Sequence, residues 1–169
     1  MIETVRLILK PLTYNQLLKY AKNDYSLEAE LGLKKTSKII STELKEALEQ
    51  NILPNVADIT KNYLYSTLWT AISKAENKMV ADMCIFGEPN ADGEIEIGYG
   101  TYDEFQGRGY MTEIVGGFIT WAKAQNNINA ITADTDKTNI ASFKVLEKNN
   151  FVKTAENETF LQWKLILEK

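Results

Sequence analysis

Two glycines on either side of one arginine are the residues whose types and spacing best suit ligand chemistry. Gly107, Arg108 and Gly109 follow a stretch of alternating residues, 95–105, and precede an apolar run with helical spacing. Glycine lets the backbone approach a ligand closely, and the first turn of a helix has unpaired N–H groups that attract anions. We expect the backbone of residues 106–111 and the Arg108 side chain to bind a pyrophosphate. A tight turn without a ligand is the alternative.

A strand and a helix must hold this loop in place. In residues 95–99, Ile95, Ile97 and Tyr99 alternate with Glu96 and Gly98, which is the period of a strand. After the glycines, five apolar residues have the spacing of one helix face: Ile114, Val115, Phe118, Ile119 and Ala122. Residues 130–134 have the composition of another strand. Strand, helix and strand in this order predict a parallel βαβ unit with a right-handed crossover.

The N-terminal part of the chain has weaker patterns. Residues 2–10 predict one strand, and Thr13 is a suitable N-cap for a short helix after it. Ser41 or Thr42 is a suitable cap for a second helix, which we expect to finish before Pro54. Residues 24–62 as a whole predict a helical cover with a flexible connection.

Two further groups of strands surround the central unit. Residues 63–73 and 79–86 predict an antiparallel pair, and the turn residues of 87–93 predict a loop. Residues 139–148 predict another helix, followed by a short strand at Phe151 and Val152. The alternation in 160–167 predicts a final strand.

Composition and charge exclude several classes of function. The chain has 169 residues, a net charge of −4, a single cysteine and no histidine. Scattered basic residues argue against nucleic acid as a partner, and the absence of histidine excludes His-based triads and His-ligated metal sites. We see no apolar run of membrane length and no leader segment, and a lone cysteine suits a reducing compartment, so we expect a cytoplasmic protein.

Three stretches resemble the GNAT superfamily of acetyl-CoA-dependent N-acetyltransferases, and in particular its Rim-type branch, which acetylates ribosomal-protein N-termini. They are residues 4–13, residues 96–99 with 106–113, and the Asn-x-x-Ser…Val-Leu-Glu-Lys helix of residues 139–151. The resemblance implies a single domain, residues 1–169, of mixed α/β (α+β) class. Its expected core is a mostly antiparallel sheet of 6–7 strands with one parallel βαβ unit, flanked by about four helices.

The resemblance also implies a reaction and its partners. Acetyl-CoA would give its acetyl group to a primary amine by direct attack in a ternary complex, without a metal and without a membrane partner; a homodimer stays open. The implied cofactor-binding residues are Gly98, Tyr99, Gly100, Thr101, Gln106, Gly107, Arg108, Gly109, Tyr110, Met111, Thr112 and Asn139. A helix cap is the alternative role for Asn139.

Two residues are candidates for proton transfer. A lysine-like amine has a pKa of about 10.4 and a chain N-terminus about 8, so the acceptor must lose a proton. Glu96 matches the carboxylate of the branch and is our candidate base, with Glu94 as a weaker alternative. Many members have a tyrosine that protonates the leaving thiolate, but Leu146 stands there, so Ser142 is our candidate acid. An ordinary surface carboxylate and a packing serine are the alternative roles.

Other functions stay open at this point. The missing tyrosine also fits a degenerate GNAT domain that binds acyl-CoA or a partner protein without transferring a group. A Rossmann-type nucleotide site is disfavoured, because its third glycine is Thr112 here. The acceptor is open between a protein N-terminus, a polyamine, an amino acid and an antibiotic.

Overall fold

One eight-stranded sheet runs through the computed structural model, which describes residues 1–168. Its spatial order is β1-β2-β3-β4-β5-β6-β8-β7. The strands are β1 Ile2–Glu3, β2 Leu7–Pro11, β3 Leu68–Ser73, β4 Lys78–Ile85, β5 Glu94–Thr101, β6 Ala130–Asp136, β7 Val152–Glu156 and β8 Phe160–Ile166. Neighbouring strands are antiparallel apart from β5 and β6, which are parallel. The predicted fold class and its parallel βαβ unit are confirmed.

Helices cover both faces of the sheet. They are α1 Tyr14–Lys22, α2 Ser26–Leu31, α3 Thr42–Ala47, α4 Leu53–Ala57, α5 Tyr110–Lys123 and α6 Ile140–Lys148. Thr13 caps α1 as predicted, in a capping box with Gln16, and Ser41 caps α3. The α5 helix is the crossover between β5 and β6.

The prediction of one strand over residues 2–10 is wrong. The chain turns back at residues 4–6, so β1 and β2 form an antiparallel pair, and the sheet has eight strands rather than 6–7. Thr4 N donates to Leu7 O (2.9 Å), and Thr4 Oγ1 accepts from Leu7 N (3.1 Å). Apolar alternation alone did not reveal the turn, because a hydroxyl closes it and no glycine or proline marks it.

The prediction that the second helix ends before Pro54 is also wrong. A π-helical segment, Leu48–Ile52, joins α3 to α4, and Pro54 lies in the first turn of α4. Leu53 N still donates to Leu48 O in the π pattern, so the missing N–H of Pro54 falls where the hydrogen bonding changes from π to α. Residues 63–65 form a 3₁₀ turn, so the third strand starts at Leu68 instead of 63.

Two apolar clusters hold the helices on the sheet. On one face, α5 packs on strands β3 to β6 through buried residues such as Phe118, Ile95 and Ile131. On the other face, α1 and the helical segment of residues 42–57 cover Leu68 and Met79. The sheet therefore separates a face that carries α5 and α6 from a face that carries α1 to α4.

Aromatic side chains fix the position of α5. Trp69 of β3 is 1% exposed. Its ring lies 6.1 Å from that of Phe118 and 5.3 Å from that of Trp121, both with edge-on geometry. Such pairs add about 0.5–1.5 kcal/mol beyond the buried area. They hold the helix whose first turn forms the candidate site.

Candidate active site

The two parallel strands separate halfway along their length. β5 pairs with β6 only from Glu94 to Glu96, opposite residues 130–132. Beyond this point β5 continues on β4 to Thr101, while β6 continues on β8 to Asp136. The β6-facing edge of residues 97–101 therefore borders a gap in the sheet, where an extended ligand has access to backbone groups.

The glycine loop lies at the same end of the sheet, where β5 leads into α5. Gly107 and Gly109 have φ values of 75° and 74°, in the left-handed region that favours glycine. A Cβ at Gly107 would meet nothing within 4 Å, so this position faces open space. Gly109 is the N-cap of α5 and supplies no side-chain cap. The first N–H groups of α5 thus have no capping side chain.

Arg108 does not point its charge into this loop. Its guanidinium donates to Glu76 Oε1 (2.9 Å) and to Glu104 O (3.0 Å) and lies over the Phe105 ring. The Arg108 backbone is part of the loop, but its side chain forms an ion pair with Glu76, in the turn between β3 and β4. The expectation that this side chain adds charge to an anion site stays a prediction.

Arg6 is a cation at the loop that the sequence reasoning missed. Its Nη1 donates to Arg108 O (2.9 Å), and its guanidinium lies over the Tyr110 ring. Nη2 is 3.6 Å from a Cβ built on Gly109. The one sequence signal was that Arg6 lies within residues 4–13, the first stretch of the resemblance. Its contact with the loop could not be predicted, because it is more than a hundred positions from the glycines.

Glu113 locks the first turn of α5 to the N-terminal turn. Its Oε1 accepts from Thr4 Oγ1 (2.6 Å) and Arg6 N (2.7 Å), and its Oε2 accepts from Arg6 Nε (2.6 Å). Hydrogen bonds to a charged carboxylate are stronger than neutral ones. The turn that splits β1 from β2 therefore fixes the mouth of α5.

The other predicted loop residues contribute mainly backbone. The side chains of Tyr110 and Met111 are buried in the core, and Thr112 O accepts from Asn149 Nδ2 (3.2 Å). Gln106 is exposed, and its Nε2 donates to Thr101 O (3.4 Å) and Asp103 Oδ1. Tyr110 and Met111 therefore offer a ligand only their main chain, whereas the Thr112 side chain is partly exposed.

Asn139 and Ser142 lie across the gap from β5. Asn139 Oδ1 accepts from Ser142 N (3.1 Å), so this side chain caps α6, the alternative role considered above. The Tyr99 hydroxyl donates to Ser142 O (3.0 Å), and Ser142 Oγ donates to the Tyr99 hydroxyl (3.4 Å). Burial raises the pKa of Tyr99 to about 12. The hydroxyl of Ser142, the predicted acid, is thus hydrogen-bonded to the hydroxyl of Tyr99.

The two candidate bases have different surroundings. Glu96 lies at the surface but is partly shielded from solvent. This partial burial raises its pKa, and the nearby Asp134 carboxylate raises it further. Glu94 forms an ion pair with Lys164 and accepts from Asn90, and these contacts lower its pKa. A carboxylate held by a lysine is a poor proton acceptor, so the geometry favours Glu96.

A cavity of about 910 Å³ lies on the opposite face from α5, between β4–β5 and the helical segment of residues 42–57. Its wall includes the backbone of Gly98 to Tyr102. At Gly98 a Cβ would lie 2.8 Å from the Phe86 ring, whereas at Gly100 it would meet nothing within 4 Å. The cavity therefore reaches the strand that also borders the gap. A π-helical segment in its wall is a frequent companion of functional sites.

These features fit a coenzyme with a diphosphate and an extended arm. The open backbone at Gly107 and the first N–H groups of α5 suit the diphosphate, and the free edge of residues 97–101 suits the arm. No cluster of three or more His, Cys, Asp or Glu side chains within residues 1–168 could hold a metal ion. No helix in that range has the length and apolar character needed to span a membrane.

A mostly antiparallel sheet that splits at one parallel pair beside such a loop is the architecture of an acyltransferase of the N-acetyltransferase class. The chain belongs to the GNAT acetyltransferase family, because the family model described as "Acetyltransferase (GNAT) domain" matches residues 6–152. It is therefore an N-acetyltransferase, as the sequence predicts. A curated relative, YjdG of Bacillus subtilis (strain 168), described as an uncharacterized N-acetyltransferase, is 26% identical over 166 residues, 96% of each chain.

Solved structures have the same fold at low sequence identity. A RimL ribosomal L7/L12 alpha-N-protein acetyltransferase in complex with coenzyme A has a TM-score of 0.68 and 17% identity, covering 97% of this chain and 96% of the other. The ribosomal-protein-S5-alanine acetyltransferase of Vibrio fischeri has a TM-score of 0.69 and 20% identity, covering 98% and 96%. A GNAT acetyltransferase of Bacillus anthracis has a TM-score of 0.68 and 13% identity, covering 99% of both chains. These likenesses concern the fold alone.

Proposed function

We propose that this enzyme transfers the acetyl group of acetyl-CoA to a primary amine by direct attack within a ternary complex. The observation that carries the proposal is the shared position of two features. The open glycine loop at α5 and the free edge of residues 97–101 lie at the end of the sheet where β5 and β6 separate. The cavity reaches the same stretch of β5 from the other face, so two substrates have separate approaches.

The backbone has two roles on the coenzyme side. N–H groups of residues 106–111 bind the diphosphate. Arg108 and Arg6, each paired with a carboxylate in this structure, are the side-chain cations beside the loop. Backbone groups of Gly98, Gly100 and neighbouring residues align the arm like an added strand, and an N–H there is suited to stabilise a developing oxyanion. The coenzyme supplies a thioester, whose acyl carbon is open to an amine.

Glu96 takes the proton of the acceptor amine in this proposal, directly or through a water molecule. It is on the strand beside the proposed arm, and within residues 1–168 no hydrogen bond or ion pair engages its carboxylate in the way that Lys164 engages Glu94. Its raised pKa moves it towards the range in which a carboxylate accepts a proton from an amine at neutral pH.

Ser142 delivers a proton to the leaving thiolate, with the Tyr99 hydroxyl as its partner. Tyr99 accepts from Ser142 Oγ and donates to Ser142 O, so the two hydroxyls form one hydrogen-bonded unit at α6 that holds the Ser142 hydroxyl in place. When Ser142 Oγ gives its proton to the thiolate, it regains one from solvent. Tyr99 reaches this place from β5, whereas the tyrosine expected from the resemblance would lie on α6, where Leu146 is buried.

A thiol-release assay with acetyl-CoA and a panel of primary amines tests the function. We expect free thiol to appear in proportion to the amine acetylated, as detected by mass spectrometry. A folded enzyme that binds acetyl-CoA and releases no thiol with any amine would instead indicate the degenerate, binding-only GNAT domain.

A further inference from the structure

A buried polar cluster forms part of the wall of the cavity, apart from the residues assigned above to acetyl transfer. Asp82 of β4 is 8% exposed and borders the cavity. Its Oδ2 accepts hydrogen bonds from the hydroxyls of Tyr20 (2.6 Å) and Tyr102 (2.7 Å). Its Oδ1 is buried and has no hydrogen-bond partner within residues 1–168. A buried carboxylate oxygen without a partner is unfavourable and calls for a ligand.

The charges of this cluster do not balance. Lys38 is 6% exposed; its Nζ donates to Asn23 Oδ1 (2.9 Å) and lies 3.8 Å from Glu28 Oε1. Two buried carboxylates, Glu28 and Asp82, thus accompany one buried ammonium, which is paired with Glu28. Burial raises the pKa of Asp82, while the tyrosine hydroxyls and the charge of Lys38 act against this rise. A cation in the cavity would compensate the carboxylate.

The neutral groups next to Asp82 do not compensate the charge of its carboxylate. Thr70, opposite Asp82 on β3, is near enough for its hydroxyl to lower the pKa of Asp82, but it is neutral and forms no hydrogen bond of normal geometry among the described residues. The Cys84 thiol next along β4 is also neutral, since burial raises its pKa. Neither group supplies a positive charge to Asp82.

The register of the sheet sets the distance from Asp82 to the reacting centre. Asp82 pairs with Gly100 of β5, and the space where a Gly100 side chain would lie is open. The coenzyme arm follows the opposite edge of β5, which faces the gap. Two strand spacings, about 10 Å, therefore separate the arm from β4. A group bound at Asp82 is too far from the arm to be the amine that reacts.

We propose that Asp82, with Tyr20 and Tyr102, binds a cationic group of the acceptor that is separate from the amine that is acetylated. This inference rests on the proposed function for the position of the thioester. The acceptor class is then a primary amine that a flexible chain joins to a second ammonium or guanidinium group.

Kinetics with a matched series of acceptors test this site. We measure kcat/KM for straight-chain diamines, for monoamines of the same chain length and for the corresponding amino alcohols. Diamines should exceed both other classes by about tenfold or more, as expected for a hydrogen bond to a charged group. Asp82→Asn should remove this advantage. Glu43→Gln should keep it, because Glu43 is exposed at the cavity rim and has the same charge.

Calorimetric titration of diamines without acetyl-CoA separates this inference from acetyl transfer. Diamines should bind the unaltered protein and Glu43→Gln, and should not bind Asp82→Asn. Equal kcat/KM for diamines and monoamines, or equal diamine binding by Asp82→Asn, would overturn the cation site and leave transfer intact. Diamine binding through Asp82 without any acetylation would overturn transfer and leave the cation site intact. If Asp82→Asn does not fold, the acceptor series on the unaltered protein decides.

Discussion

At the scale of single residues, the hydroxyls of Ser142 and Tyr99 are hydrogen-bonded to each other, while Arg6 and Arg108 beside the glycine loop are each paired with a carboxylate. Glu96 and Ser142 were proposed from the resemblance, and the structure places them on the two sides of the gap. Tyr99 could not be recognised from the sequence as the partner of Ser142, because β5 and α6 are distant in sequence and come together only in the folded protein. Arg108 was predicted as a cation for the anion site, but Glu76, more than thirty positions away, takes its guanidinium.

The first prediction concerns the pH dependence of Glu96→Gln. The ionised carboxylate is the active base, so its contribution begins above its raised pKa and matters most while the amine is still protonated. We expect Glu96→Gln to lower kcat/KM by about a hundredfold to ten-thousandfold at pH values above the raised pKa of Glu96 and well below the pKa of the amine. The loss should shrink as the pH approaches the pKa of the amine. A pH–rate profile unchanged by the substitution would remove Glu96 as the base; Glu94→Gln is the matched control.

The second prediction concerns the proton for the thiolate. Ser142→Ala and Tyr99→Phe should each lower kcat while the affinity for acetyl-CoA changes little, because each hydroxyl acts on the leaving group. Since they form one unit, the double substitution should cost less than the product of the single effects. Steady-state kinetics with calorimetry check both points. Strictly multiplicative effects would show that the two hydroxyls act separately.

At the scale of elements, the long periodic segments were predictable and the short connections were not. The period of residues 95–99 and the apolar face of α5 define the βαβ unit. Asn150, just after α6, has a left-handed φ of 65°, which asparagine tolerates past the end of a helix. By contrast, the turn at Thr4 is held by Glu113, about a hundred positions away, and the π-helical segment buries Leu48 against residues from distant parts of the chain. Local patterns contain no information on such distant partners.

The third prediction concerns two adjacent glycines in α5, Gly116 and Gly117. A Cβ at Gly117 would lie 2.6 Å from Thr4 Cγ2, whereas one at Gly116 would lie 3.3 Å from Asn149 Oδ1. We expect Gly117→Ala to destabilise the fold by about 1–3 kcal/mol through overpacking. Gly116→Ala is the matched control and should cost less, because alanine favours the helix by up to about 1 kcal/mol. Chemical denaturation of both variants checks this, and equal stability would contradict it.

At the scale of the whole molecule, the sheet lies between the approaches that we propose for the coenzyme and for the acceptor. The coenzyme side is built largely from contiguous sequence, residues 95–112, and was therefore predictable. The acceptor side gathers Glu28, Lys38 and Asp82 from distant segments, and residues 24–62 gave only weak patterns. The sequence alone could not show that these buried charged side chains lie close together.

The fourth prediction tests the central claim, that exposed amides at the glycine-flanked opening of α5 bind acetyl-CoA. Calorimetric titration should show that one acetyl-CoA binds saturably per chain. Gly107→Ala should bind it at least tenfold more weakly, which is the usual effect of losing a charge-assisted hydrogen bond. Gly32→Ala is the matched control, since Gly32 has a φ of 68°, meets nothing within 4 Å and lies at the end of α2. A folded sample that takes up no acetyl-CoA, or equal losses in both variants, would contradict the account.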